Sequence, residues 1–192
     1  MTELNKLHTE IHAANVAAGW WTDLATGESI LLTRNRGEVM MLIVSELSEA
    51  SMGAADNLSD DKLPHHSMFA VELADAAIRL FDLIGAEEAC GVPLPFELDM
   101  LVRTDPPASG KLFPDVTLMR IVNRVSYAME HHRKGRKEEY IGALQVALSR
   151  VFALAASWEI PLLEVIAEKR AFNAQRADHK PENRRQAGGK AY

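Results

Sequence analysis

Apolar residues recur along this chain at intervals of three and four, the spacing of one face of an α-helix. Leu4, Leu7, Ile11 and Val16 mark a first amphipathic helix that ends near Gly19. A connector over residues 22–34 follows. Asn35-Arg36-Gly37-Glu38 then supplies an N-cap residue with a glutamate three positions on, much like a capping box, and predicts a second helix to about Gly53. After the polar loop "DNLSDDKLPHH" a third helix is predicted from near Ser67 to about Glu88. The proline-rich stretch from Gly91 to Pro114 breaks the period and is expected to be an irregular lobe. Two further helical patterns, about 115–132 and 137–156, flank the turn "HHRKGRK", and a last helix follows Pro161 to about Ala177. No stretch alternates with a period of two. The expectation is an all-α bundle of about six helices, one domain over residues 1–178, with an extended basic tail over 179–192.

At 192 residues, 47% hydrophobic and 25% charged, the chain is long enough for a sizeable core and has the composition of a folded protein. Its first residues include Glu3, Lys6 and Glu10 and lack the apolar run of a signal peptide. No uncharged stretch approaches the ~20 residues of a membrane span. The single cysteine, Cys90, excludes an internal disulfide and fits a reducing compartment, so a cytoplasmic location and no membrane partner are expected. Charge is uneven. Residues 168–192 carry seven Lys/Arg against three acids, a balance of +4, which leaves −10 for the rest of a chain whose total is −6. Such a basic end meets anions either on a ligand or on the acidic body itself.

Two acidic pairs interrupt the apolar pattern. Val39, Leu42, Ile43, Ala50 and Gly53 share a stripe of the second helix, and Glu46 lies within it, with Glu49 as its i+3 neighbour. On the third helix Phe69, Leu73, Ala76, Leu80 and Leu83 form the main apolar face, bordered by Glu72 and Asp75, again i and i+3. Either pair alone reads most simply as a solvated face. Together, on consecutive helices, four carboxylates drawn toward a core are unfavourable unless a cation compensates them. Mg²⁺, with Mn²⁺ as the alternative, takes carboxylate oxygens and keeps positions for phosphate oxygens. Glu46, Glu49, Glu72 and Asp75 are therefore candidate metal ligands and catalytic residues.

The last helix adds a second signal. Leu162, Val165 and Ile166 define a line that Lys169, Asn173 and Arg176 continue, so one face turns from apolar to cationic without rotating. Lys, amide and guanidinium donors in a row suit a polyphosphate; a solvated helix end with cations near its C-terminal dipole is the plainer reading.

The stretches "ELSEA", "VELADAAIRLFDL" and "EKRAFNAQRADHKPENRRQAGGK" resemble the MazG-like branch of the all-α nucleoside triphosphate pyrophosphatases, small phage and bacterial members in particular. The family's E-x-x-E and E-x-x-D pairs match Glu46, Glu49, Glu72 and Asp75. Its K-x-x-Y-N-x-x-R element matches Lys169, Phe172, Asn173 and Arg176, with Phe in place of Tyr, which removes a hydroxyl. "GWWTD" is similar too. The resemblance covers about residues 3–88 and 160–190 and leaves 91–157 as an insertion. It implies Mg²⁺-dependent hydrolysis of a nucleoside triphosphate to monophosphate and pyrophosphate, phosphates gripped by Lys169, Asn173 and Arg176, and a homodimer or homotetramer.

Trp21, with Trp20, could stack on a base; an adjacent Trp pair more often places one ring in the core. Arg34 and Arg36, just before the second helix, could reach phosphates; exposed loop cations are the plainer reading. His65-His66 and His131-His132 could bind a softer metal, but their neighbours lack the Cys/His spacing of a zinc site, and exposed polar residues are the plainer reading. Di-iron bundles use Glu-x-x-His, and no glutamate here has a histidine three residues later. The remaining alternatives are a narrower dUTP-, dCTP- or modified-nucleotide pyrophosphatase and a non-enzymatic module binding nucleotide or nucleic acid; nucleic acid is not the expected partner.

Overall fold

A computed structural model describes residues 3–102, 110–187 and 189–190. Among these the regular structure is entirely helical, with two isolated bridges (Thr22 to Ser29, Ser59 to Ser67) and no strand. The helices are α1 (Glu3–Ala17), α2 (Arg36–Asp56), α3 (Met68–Ala89), α4 (Leu98–Leu101), α5 (Pro114–Arg133), α6 (Lys137–Ser157), α7 (Leu162–Gln175) and α8 (Pro181–Arg184), with a 3₁₀ turn at Ala177–His179. Six are long, as the periodicity predicts; α4 and α8 are single turns too short to show a period.

Local chemistry sets the starts. The Asn35 side chain accepts from the N–H groups of Gly37 and Glu38, at 2.9 and 3.4 Å, while its amide donates to Glu38 Oε1 at 3.1 Å. Ser67 Oγ caps α3 by accepting from Ala70 N–H, and Pro114 occupies the first turn of α5. Asn57, at φ 50°, closes α2 in the left-handed conformation.

Helix α3 is apolar nearly all round, so it occupies the middle of the molecule, in contact with α1, α2, α6 and α7. Leu73, Ala76, Leu80 and Leu83 are fully buried, and so are Val71 and Ala74 on the flank. Two glycines let neighbouring backbones approach it. A Cβ on Gly53 of α2 would lie 2.7 Å from the Phe69 nitrogen, and one on Gly85 of α3 would lie 2.7 Å from His12 Cβ on α1.

Residues 114–157 are not an appendage. The α5–α6 hairpin packs α5 on α2 and α6 on α3, and Ile121, Val125, Leu144, Leu148 and Phe152 join the common core. Phe152 meets Phe81 edge-on, with ring centroids 6.1 Å apart. By length and mean hydropathy (1.4) α6 could cross a membrane, yet 72% of that window is buried inside the protein, as befits a core helix. Three polar residues expected at the surface lie elsewhere. Arg36 is buried against Glu87 (Nε to Oε1, 2.5 Å), the Arg34 guanidinium donates to the Trp20 carbonyl, and His131 is buried.

The basic tail is also drawn in. Arg184 Nη1 donates to Gly19 O at 3.0 Å, its guanidinium covers the Trp20 ring at 3.6 Å, and Arg185 Nε donates to Leu24 O. Residues 177–187 thus fold back as short turns rather than extending, because carbonyls of the segment between α1 and α2 and an indole face receive their cations.

Candidate functional site

Helices α2, α3 and α7, with the segment after α7, enclose a cleft of about 400 Å³ that holds Glu46, Glu49, Glu72, Asp75, Lys169, Asn173 and Arg176. Seven of the eight residues singled out in the sequence therefore meet. Helix spacing explains this: each acidic pair occupies one face of its helix, and α2 and α3 turn those faces toward each other.

One carboxylate oxygen from each of Glu46, Glu72 and Asp75 lies within 4.8 Å of the others. Glu49 lines the same cleft but stands outside that tight group. Two cations are built in beside them: Arg79 Nε donates to Glu46 Oε1 at 2.6 Å, and Lys169 Nζ donates to Asp75 Oδ2 at 2.7 Å. Lys169 is 2% exposed, so its charge is committed to this cluster and not to bulk water.

Crowding holds protons in the cluster. Burial, then the charges of Asp75 and Glu46, push the Glu72 carboxyl up to about 8, and a hydrogen bond to Glu46 favours keeping its proton. Burial also lifts Asp75, to about 6, although Lys169 pulls the other way. Glu49 is raised by burial and by Glu46. Neutral pH thus leaves the set short of its full negative charge, the condition that a hard divalent cation relieves by replacing protons. Clustered, buried oxygen donors of this kind fit Mg²⁺ or Mn²⁺.

Asn173 gives a further indication. Its Oδ1 is buried and has no hydrogen-bond partner among the described residues, and Asn173 lines the cleft. Toward a phosphate oxygen only the N–H groups of this amide can donate; the Oδ1 accepts. Arg176 also lines the cleft, with its guanidinium held in a two-point contact by Asp178, at 2.9 and 2.6 Å. His179 beside it is depressed to about 4 by burial and by Arg176 and Lys190, so its ring is neutral at physiological pH.

Trp21 does not belong to the site. It is 1% exposed and its Nε1 donates to Asp82 Oδ1 at 2.9 Å, while His12 Nδ1 bonds the same oxygen at 2.8 Å. Arg34 lies over its ring at 4.6 Å. The indole is a core strut between α1 and α3. The cleft takes Trp20 instead, since successive residues point in different directions and Asp82 claims the second ring.

Residues that the acidic pattern left unnoticed include Arg79, Arg34, Lys62, Asn15 and Lys190. Arg79 was within reach: it stands four residues after Asp75, on the same face of α3. In all, five carboxylates and six Lys/Arg line the cleft, with the tightest carboxylates grouped on α2 and α3. A second pocket of about 570 Å³ continues from it, sharing Asn15, Trp20, Ile78, Asn173, Arg176 and His179, and its remaining wall combines five alanines, Ile11 and Pro181 with the cations Arg170 and Lys180. The combined space thus has an acidic part and a part where apolar side chains alternate with cations. No family model matches this chain, no curated protein is similar to it, and no solved structure matches it.

Proposed function

We propose that the chain is a Mg²⁺-dependent nucleoside triphosphate pyrophosphatase, with Mn²⁺ as a possible substitute ion, acting in nucleotide-pool housekeeping in the cytoplasm. The observation that carries this reading is the convergence of Glu46, Glu72 and Asp75 in one buried, proton-retaining group, opposite Lys169 and Asn173. Mg²⁺ held by these carboxylates supplies phosphate charge neutralisation and lowers the pKa of water. The chain's own groups do the rest. The Asn173 side-chain N–H and the Arg176 guanidinium donate to phosphate oxygens, and Lys169 turns from Asp75 toward them once the carboxylate has another partner. Trp20 and the apolar side chains of the second pocket receive the base. One of the four carboxylates takes a proton from water attacking the α-phosphorus; the bond from that phosphorus to the bridging oxygen breaks, and pyrophosphate leaves.

The likeness of the motifs to the MazG-like pyrophosphatases supports the same reading. So does the inward engagement of the tail, which weakens the alternative of a nucleic-acid-binding arm: Arg184 and Arg185 bond to carbonyls, and Lys190 pairs with Asp178 at 3.0 Å. Association into a homodimer or homotetramer goes with this reading. Met41, Met52, Val116 and Met119, exposed on α2 and α5, are available to such a contact.

The test is a panel of ribo- and deoxynucleoside triphosphates with Mg²⁺, scored for pyrophosphate against orthophosphate. Pyrophosphate as first product, with a preference across the panel that separates a broad enzyme from a dUTP- or dCTP-specific one, is the expected outcome. Orthophosphate as first product, or no turnover with either ion, overturns the proposal.

A further inference from the structure

A second group of ligating side chains lies outside the carboxylate cleft. His65 and His66, in the loop between α2 and α3, direct their Nε2 atoms at one oxygen of Glu168 on α7, at 2.6 and 3.2 Å. The three donor atoms all lie within 4.8 Å of one another, and the two imidazole centroids are 4.3 Å apart. The loop presents them in a fixed shape. Asp60 Oδ1 accepts from Lys62 N–H and Leu63 N–H, Asp60 N–H donates to His66 O, and the Leu63 side chain is buried.

We propose that His65, His66 and Glu168 form a transition-metal site of the Zn²⁺ type, with three protein ligands and one open position, joining the α2–α3 loop to α7. The donor set selects the ion. Imidazole nitrogen suits Zn²⁺, Ni²⁺ or Cu²⁺, whereas the all-oxygen cleft suits Mg²⁺, so the two places sort metals by ligand type. Two histidines and a carboxylate leaving a position for water are a recurrent zinc arrangement. Metal–donor bonds of about 2.0–2.1 Å at tetrahedral angles separate donors by about 3.3 Å. The observed 2.6 and 3.2 Å lie within about 1 Å of that separation, the two nitrogens are within 4.8 Å of each other, and His65 and Glu168 are exposed and free to adjust. Binding here acts on the cleft's wall: Glu168 precedes Lys169, and Lys62 of the same loop lines the cleft. The proposal stands independently of the pyrophosphatase reading.

The experiment uses untagged full-length protein with the carboxylate cleft saturated by Mg²⁺. Zn²⁺ is titrated calorimetrically, and Co²⁺ by its visible d–d absorption. One equivalent binding at micromolar affinity or tighter, with low-coordinate Co²⁺ bands and a raised Tm, is expected. His65→Ala, His66→Ala and Glu168→Gln should each weaken binding at least tenfold, while the Mg²⁺-dependent Tm rise survives. His65→Asn replaces His65→Ala if circular dichroism shows lost helix. Three results overturn the proposal: no Co²⁺ spectrum, a loss confined to one histidine variant, or a loss seen in Glu72→Gln and not in these.

Discussion

Replacing Glu72 by Gln tests the physical basis of the site without requiring a substrate. In the folded, metal-free protein its carboxyl sits near 8 against an ordinary value of 4.5, because burial and the neighbouring Asp75 and Glu46 oppose its ionisation. The sign follows from the direction of the shift. Below about pH 4.5 folded and unfolded chains are both protonated and the group costs nothing; from there to about 8 the unfolded chain ionises first, so folding loses stability as pH rises. The whole displacement corresponds to about 5 kcal/mol at 1.36 kcal/mol per pH unit. Cleft water and the adjoining Arg79 screen a carboxylate in such a set, so a net penalty of about 2 kcal/mol at pH 8.5 is expected. Glutamine keeps the shape and hydrogen-bonding reach but cannot ionise. In chelator at pH 8.5, Glu72→Gln should melt above the wild type by about 4–8 °C, the range for 2 kcal/mol in a chain of this size. At pH 4 the two should melt together. With 10 mM Mg²⁺ at pH 8.5 the order should reverse, because the wild type gains ion-binding energy that the variant lacks. Differential scanning fluorimetry over pH, with and without Mg²⁺, reads all three. A variant less stable than wild type in chelator at pH 8.5, or one gaining as much from Mg²⁺, would refute the reasoning.

Glu49→Gln and Asp75→Asn should each reduce pyrophosphate release by at least a hundredfold while circular dichroism stays unchanged; near-normal turnover in both removes the carboxylates from the chemistry. Trp20→Ala should raise KM for nucleotide with little change in Tm, whereas Trp21→Phe should cost about 1–3 kcal/mol in urea unfolding by leaving the buried Asp82 with His12 as its remaining partner at that oxygen. Equal effects of the two would contradict their separate placements. Gly53→Ala forces a Cβ to 2.7 Å from the Phe69 nitrogen and should destabilise by about 2 kcal/mol or more, again by urea unfolding; a neutral result would mean that α2 and α3 are less closely packed than described.

What could be read from the sequence divides by distance along the chain. The six long helices and the caps at Asn35 and Ser67 depend on neighbours within a few residues, and periodicity exposes them. The acidic pairs and the Lys169, Asn173, Arg176 row are also local, which is why most of the cleft was foreseeable. The rest depends on partners far away. Trp20 and Trp21 are equivalent as letters, and Asp82 on α3 decides between them. That Ile121, Val125, Leu144, Leu148 and Phe152 join the common core is likewise invisible locally, because their partners lie on α2 and α3. His65 and His66 are an unremarkable polar pair until α7 brings Glu168 across. Arg36 reads as a loop cation because nothing nearby announces Glu87.

The pairing of Asp75 with Lys169 has a kinetic corollary. Helices α2 and α3 are sequence neighbours and can associate early, whereas the lysine that offsets their acids arrives only when α7 docks. In the interval Arg79, Lys62 and Arg34 temper that negative knot without the lysine's direct contact to Asp75, and dissolved divalent ions can take the lysine's part. An ion required for turnover would then also speed refolding, with the gain disappearing once the acidic side chains are made neutral.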